Sequence, residues 1–334
     1  MQHVKQLFPI LKEKKIITIV THYKPDGDAI GSSLGLGRFL RKQGHKVQII
    51  IPSEFPEFLS WMEGAEGIIN YEADNASAEA HVKDCEILFC LDFNHPSRTN
   101  GLEQAITDSE AIKVLIDHHL DPPGFEDYTL HSSAASSTCE LVYDFIEMAD
   151  GLDTLDKAIA ESLYTGIMTD TGSFRFSSVT AKVHFIIAKL IEAGAENAKI
   201  HSKISDSFTE SRLRIMGHAI SEKLTLKKEI NAAYMMLTRK EFQKFNVKNG
   251  DTEGVVNYPL SIKSIRLSVM ISEKEDKISM SFRSKGTFPA NLVAAEFGGG
   301  GHLNAAGGKG EATLELTEKK LLATLEKFKS QLID

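Results

Sequence analysis

The chain has 334 residues, 42% of them hydrophobic and 25% charged, an ordinary globular composition with enough sequence for two cores. With 38 basic and 46 acidic side chains the formal net charge is −8, so the molecule as a whole repels a long nucleic acid, and any polyanionic ligand must be met locally by metal ions or by a few gathered cations. The apolar runs are far shorter than the roughly eighteen residues that cross a bilayer, so no membrane-spanning segment is expected. The lysine-dotted N-terminus does not read as a secretory signal, and Cys85, Cys90 and Cys139 form no CxxC and no even framework; both features predict a cytoplasmic protein.

Val4, Leu7, Phe8 and Leu11 fall at helical spacing, and Ile16 to Val20 is a β-branched run suited to a buried strand. A helix is predicted over 28–43, ending at Gly44, then strands over 47–51, 86–91 and 112–116. Ser137 with Glu140 three residues on is a capping-box signature that opens a helix through Met148, and helices over 155–168 and 181–193 follow. Strands alternating with helices predict a doubly wound, mainly parallel α/β sheet. From 194 strand character gives way to small and polar residues, so the domains are set at 1–193 and 210–334, with 194–209 as linker. After a helix over 210–223, the segments 232–237, 265–271 and 277–282 alternate at period two, the last pair as a hairpin, and the chain closes with an amphipathic helix. This predicts a smaller α+β domain with a mixed sheet.

Asp and His collect where elements of the first domain end. Strand 16–20 runs into THYKPDGDAIGSS, Leu91 into Asp92, Ile116 into Asp117-His118-His119, and helix 155–168 into Asp170. Ligands of open α/β sheets bind beyond the carboxyl ends of the strands. Asp26, Asp28, Asp92 and Asp170 in one crevice bring four negative charges whose repulsion demands compensation, and two divalent cations supply it. Adding His22 and His118 gives a mixed oxygen and imidazole set that suits Mn²⁺, Fe²⁺, Co²⁺ or Zn²⁺ better than Mg²⁺ or Ca²⁺. An Asp beside a glycine is by itself usually a turn or helix cap. Four clusters of one ligand chemistry, each at the end of an element, outweigh that reading. Paired metals are the usual device for hydrolysing phosphate esters.

Four segments, HYKPDGDAIGS (22–32), LDFNHPSR (91–98), IDHH (116–119) and TGIMTDTGSF (165–174), resemble the four motifs of the DHH phosphoesterases in the same order. FRSKG (282–286) and FGGGGHLNAAGG (297–308) resemble the DHH-associated C-terminal domain, and the match is nearest to the nanoRNase/pAp phosphatase group. The resemblance implies one metal on His22, Asp26 and Asp92 and a second on Asp28, Asp92, His118 and Asp170, with Asp92 as bridge. It implies that His119 faces the substrate and that Asp117 fixes a histidine tautomer. Manganese is the expected metal, with cobalt and magnesium as alternatives, and the active site is expected in an interdomain cleft.

Gly298 to Gly301 offer backbone N–H groups to one phosphate, and the substrate set is completed by Gly299, Gly300, Gly301, His302, Arg283, Lys285 and Arg98. Phe174 and Phe176 could stack on a base, but alternating apolar residues read first as core. The glycines of GSSLGLG (31–37) lack dinucleotide-fingerprint spacing and are read as packing the first helix on the sheet. The resulting expectation is a phosphohydrolase acting on short RNA oligonucleotides and nucleoside bisphosphates (pAp), as a monomer or homodimer. Pyrophosphate, polyphosphate or cyclic-dinucleotide hydrolysis are alternatives on the same chemistry. A non-catalytic nucleotide- or RNA-binding protein is the alternative from another class.

Overall fold

A computed structural model gives the fold; it describes residues 2–206, 208–248 and 250–333. The chain forms two compact units, residues 1–207 and 208–334. Among the described residues of the first, seven strands form one sheet: β1 (Gln2–His3), β2 (Ile16–Val20), β3 (Lys46–Ile51), β4 (Ile69–Asn70), β5 (Ile87–Leu91), β6 (Ile112–Asp117) and β7 (Tyr128–His131). Their order is β1-β7-β6-β5-β2-β3-β4, and every neighbouring pair is parallel. The strands legible in the sequence are β2, β3, β5 and β6. The other three carry two to four residues, too few for a periodicity to register.

The central strands are apolar on both faces, as a buried parallel sheet requires. Ile17, Ile19, Ile49, Phe89, Val114 and Ile116 face one core; Val20, Ile50, Leu88, Cys90 and Leu115 face the other. α1 (Gly27–Lys42), α4 (Thr138–Met148), α5 (Lys157–Asp170) and α6 (Ala181–Glu192) cover the first face, whereas α2 (Asn75–Asp84) and α3 (Glu103–Asp108) cover the second. The chain winds outward from β2 through β3 and β4, then returns to β5 and winds the other way. Its switch point therefore lies between β2 and β5.

Three local expectations are corrected. The N-terminal apolar residues form two 3₁₀ turns, Val4–Leu7 and Ile10–Lys12, rather than one helix. A Cβ at Gly31 would lie 2.5 Å from the Ser162 carbonyl oxygen, and one at Gly35 2.7 Å from Leu163 Cδ2. These two glycines thus let α1 approach α5, and only Gly37, facing Ile49, packs on the sheet. The presumed linker 194–209 contains α7 (Asn197–Ser205), whose Ile200 is buried in the core of the first unit. Its largely polar sequence hides a helix anchored through Ile200, with Ile204 packed against the same core.

The second unit holds a mixed sheet of β8 (Leu224–Lys227), β9 (Ala232–Leu237), β10 (Leu267–Glu273), β11 (Ile278–Ser284), β12 (Gly300–Gly301) and β13 (Ala305–Lys309), ordered β12-β13-β11-β10-β9-β8. Only β9 and β10 pair in parallel. α8 (Glu210–Glu222) packs on one face; α9 (Arg239–Lys244) follows β9, and α10 (Ala290–Ala295) and α11 (Leu314–Lys327) pack on the opposite face. The terminal helix breaks at Phe328, leaving α12 (Lys329–Ile333) as a separate turn.

Glu241 closes a capping box at α9 with Thr238 and also binds His218 and Lys223. Burial raises its carboxyl, but the hydrogen bonds from Lys223, the Thr238 amide and His218 outweigh that and hold it at about 2. A depressed folded-state value stabilises above the unfolded value of about 4.5 and is lost as pH falls toward 2. Glu241→Gln should therefore cost about 1–2 kcal/mol at pH 7 by chemical denaturation, with the difference from the parent shrinking below pH 4.

Candidate metal centre

The carboxyl ends of β2, β5 and β6 and the ends of α1 and α5 converge at the switch point. His22 lies two residues past β2. Asp26 caps α1, its Oδ1 accepting from the amides of Asp28 (3.0 Å) and Ala29 (3.1 Å). Asp28 stands in the first turn of α1 and is buried. Asp92 follows β5 directly with φ of 63°, a left-handed conformation that aspartate tolerates better than most side chains. Asp117 ends β6, His118 and His119 follow it, and Asp170 is the last residue of α5.

These side chains form three tight sets: His22, Asp26 and Asp92; Asp28, Asp92 and His118; and Asp92, Asp117 and His119. Within each set the ligand atoms lie within 4.8 Å of one another, and Asp92 belongs to all three. His22 Nε2 is 3.5 Å from Asp92 Oδ2 and 3.9 Å from Asp26 Oδ1, while its Nδ1 donates to the Tyr23 carbonyl at 3.0 Å. His118 Nε2 is 3.5 Å from Asp170, 3.6 Å from Asp92 and 3.9 Å from Asp28, with Nδ1 on the Ala135 carbonyl. His119 Nδ1 sits 2.7 Å from Asp117 Oδ1.

Three contributors escaped the sequence reading. The first amides of α4, Thr138 N and Cys139 N, donate to the two oxygens of Asp28 at 2.6 and 2.9 Å. The Thr138 hydroxyl donates to Asp92 Oδ1 at 2.9 Å. His131 Nε2 donates to the His119 carbonyl at 2.6 Å. The signal for the first two was the Ser137 cap, because a helix N-terminus is a ready anion site; nothing in the sequence marks His131.

Burial pushes Asp92 well above the ordinary carboxylate range, and the charges of Asp28, Asp26, Asp170 and Asp117 push it further. Burial also raises Asp28, against the opposing pull of His118. Asp26 is lowered because His22 and the α1 amides outweigh its burial. Burial disfavours the charge on His118, yet Asp170, Asp28 and Asp117 raise it. The crevice thus favours any species that places positive charge among these carboxylates. Carboxylate oxygens and imidazole Nε2 atoms aimed at shared points, with the imidazole Nδ1 atoms already engaged, are a donor set that fits divalent cations.

Residues 16–167 match the DHH family, N-terminal domain, and residues 229–332 match the DHHA1 domain. The bifunctional oligoribonuclease and PAP phosphatase NrnA of Thermus thermophilus is 30% identical over 87% of this chain and 83% of its own. The chain belongs to the DHH family. It is a metal-dependent phosphoesterase of that family. A Bacillus subtilis protein of the same description is 27% identical over 87% of this chain and 88% of its own. An exopolyphosphatase-related protein from Bacteroides fragilis superposes with a TM-score of 0.94 at 41% identity, covering 99% of this chain and 97% of that one.

The remaining residues singled out in this DHH-family enzyme are placed differently. Arg98 is half-buried, and its charge opposes protonation of His22; it forms no ion pair among the described residues. Phe174 packs edge-on against Tyr164, while Phe176 is partly exposed over Gly172. In the second unit Arg283, on β11, pairs with Ala305 of β13, and His302 stands in the turn between β12 and β13. Asn304 ties that turn to β11 by donating to Ser284 Oγ and the Gly286 carbonyl, both at 2.9 Å. Lys285 is already committed in part, its Nζ donating to the Ile262 carbonyl at 2.8 Å.

The four glycines divide by what the fold asks of them. A Cβ at Gly299 would lie 1.8 Å from the Gly307 carbonyl oxygen, and Gly301 has φ of 144°. Gly300 has open space around a Cβ and an ordinary φ. Gly299→Ala should therefore lower stability by about 2 kcal/mol or more, whereas Gly300→Ala should melt with the parent. Thermal denaturation of the two variants checks this, and equal losses would contradict it.

Proposed function

We propose that this phosphoesterase hydrolyses short nucleotidic phosphoesters, namely small RNA oligonucleotides such as pApA and the 3′-phosphate of pAp, with two divalent cations, manganese foremost. The observation that carries the reading is the sharing of Asp92 by the His22–Asp26 set and the Asp28–His118 set. The names of the Thermus and Bacillus relatives support the substrate class, and the net charge of −8 disfavours long nucleic acid.

In this reading His22, Asp26 and Asp92 hold one cation, and Asp28, Asp92, His118 and Asp170 hold the other. Bound divalent cations supply Lewis-acid stabilisation of phosphoryl oxygens and acidify water. The chain's own groups do the rest. The α4 amides and the Thr138 hydroxyl fix Asp28 and Asp92 before substrate arrives, so little reorganisation accompanies the reaction. With Nδ1 held by Asp117, His119 presents Nε2 for proton donation to the leaving oxygen. Arg283, Lys285, His302, Arg98 and the backbone at Gly299 to Gly301 bind substrate phosphate, Gly300 being the glycine whose missing side chain the fold does not itself require.

Hydrolysis of inorganic polyphosphate is the second reading, favoured by the description of the Bacteroides fragilis structure. A substrate panel separates the two. With Mn²⁺, turnover of pApA and pAp should exceed that of pyrophosphate and polyphosphate by more than about tenfold. Asp92→Asn should lower kcat/KM on pApA by more than about 100-fold, beyond what loss of a mere ligand-orienting group costs. Preference for polyphosphate would install the second reading, and full activity in excess chelator would remove both.

A further inference from the structure

A capping box at α4 would return the Glu140 carboxylate to the amide of the Ser137 cap. Ser137 does its half, its Oγ accepting from Glu140 N at 3.1 Å. Glu140 reaches one residue further back. Its Oε2 accepts from Ser136 N at 2.7 Å, and its Oε1 lies 3.1 Å from Lys182 Nζ on α6. Glu140 is only 4% exposed, a buried carboxylate with Lys182 beside it, the ammonium being shared with Asp144 at 2.6 Å.

The Ser136 N–H and the Ala135 carbonyl are the two ends of one planar peptide unit and point in opposite directions. The Ala135 carbonyl is the group that His118 Nδ1 meets, at 3.4 Å. Lys182, Glu140, the 135–136 peptide and His118 thus form one continuous chain from an exposed cation on α6 to the centre of the acidic cluster. A carboxylate on the N–H end polarises the peptide and strengthens its carbonyl as an acceptor. It also fixes the plane in which that carbonyl lies.

We propose that Glu140 is a positioning residue for His118: by clamping the 135–136 peptide it holds the Nδ1–H tautomer and turns Nε2 toward Asp28, Asp92 and Asp170. The orientation belongs to the metal-free protein; only its use as a ligand rests on the metal-centre reading. Helix capping alone is insufficient to explain the residue, because capping would leave the 135–136 peptide untouched.

The test compares metal-free and Mn²⁺-titrated parent, Glu140→Gln and Glu140→Ala. Long-range ¹H–¹⁵N spectra of the histidine rings, recorded at a pH where the His118 ring is neutral, report its tautomer without metal, and calorimetry reports Mn²⁺ affinity. Glu140→Gln keeps an acceptor for Ser136 N and should retain the tautomer and an affinity within about threefold of the parent. Glu140→Ala should give mixed His118 tautomers and lose about 10- to 100-fold in affinity. A Glu140→Ala protein that melts lower but keeps the parent tautomer and affinity would overturn the proposal in favour of a purely structural role. Asp92→Asn serves as the separate control: unchanged Mn²⁺ affinity there would overturn the metal-centre reading, and the metal-free tautomer spectrum would still decide the role of Glu140.

Discussion

Mutual repulsion among buried carboxylates is the constraint around which the first unit is organised. Asp28 and Asp92 are almost fully withdrawn from water and share one crevice with Asp26, Asp117 and Asp170. Burying unpaired charge costs several kcal/mol per group unless something compensates it. The compensation built into the chain is partial. The α4 amides and the Thr138 hydroxyl satisfy hydrogen-bonding capacity, and His22 and His118 offer imidazole nitrogens, yet Asp92 remains far from easily ionised. The residual demand for positive charge makes the crevice the candidate cation site.

Topology explains why these residues meet. The switch point between β2 and β5 opens a gap at the carboxyl edge of the sheet, and the DGD segment after β2 and Asp92 after β5 flank it. β6 adds Asp117, His118 and His119 from the next position. α5 is drawn close because Gly31 and Gly35 of α1 carry no side chain to hold it away, which brings Asp170, at its end, to His118. Left-handed backbone at Asp92 sets its carboxylate into the crevice at the strand end.

Much of this was legible in the sequence, because long β-branched strands and strand-end Asp and His leave strong signals. The parallel sheet and the candidate ligand residues followed from Ile16 to Val20, Glu86 to Leu91, Ile112 to Ile116 and what comes after each. What escaped depends on contacts between distant segments. α7 turns Ile200 and Ile204 to the core from an otherwise polar sequence, β4 and β7 are too short to alternate, and Thr138 and His131 act through partners 46 and 12 residues away. Ser137 and Glu140 announce a capping box, but the reach of Glu140 to Ser136, and its contact with Lys182 of another helix, are visible only in the fold. The glycine run before His302 reads as a phosphate loop in the sequence, and its tight backbone packing at Gly299 is visible only with Gly307 beside it.

The central claim concerns charge, so a charge-sensitive measurement of stability tests it most directly. A carboxyl whose folded-state pKa is raised subtracts stability at neutral pH, and the loss is relieved as pH falls through that value or when a cation arrives. Thermal midpoints of the parent and Asp92→Asn, metal-free and with saturating Mn²⁺ at pH 7.5, read that balance. The account predicts that Mn²⁺ at about 100 times its Kd raises the parent by about 3 kcal/mol, several degrees, while metal-free Asp92→Asn melts at or above the metal-free parent and responds little to the ion. A parent indifferent to Mn²⁺, or a metal-free Asp92→Asn protein clearly less stable than the metal-free parent, would contradict it.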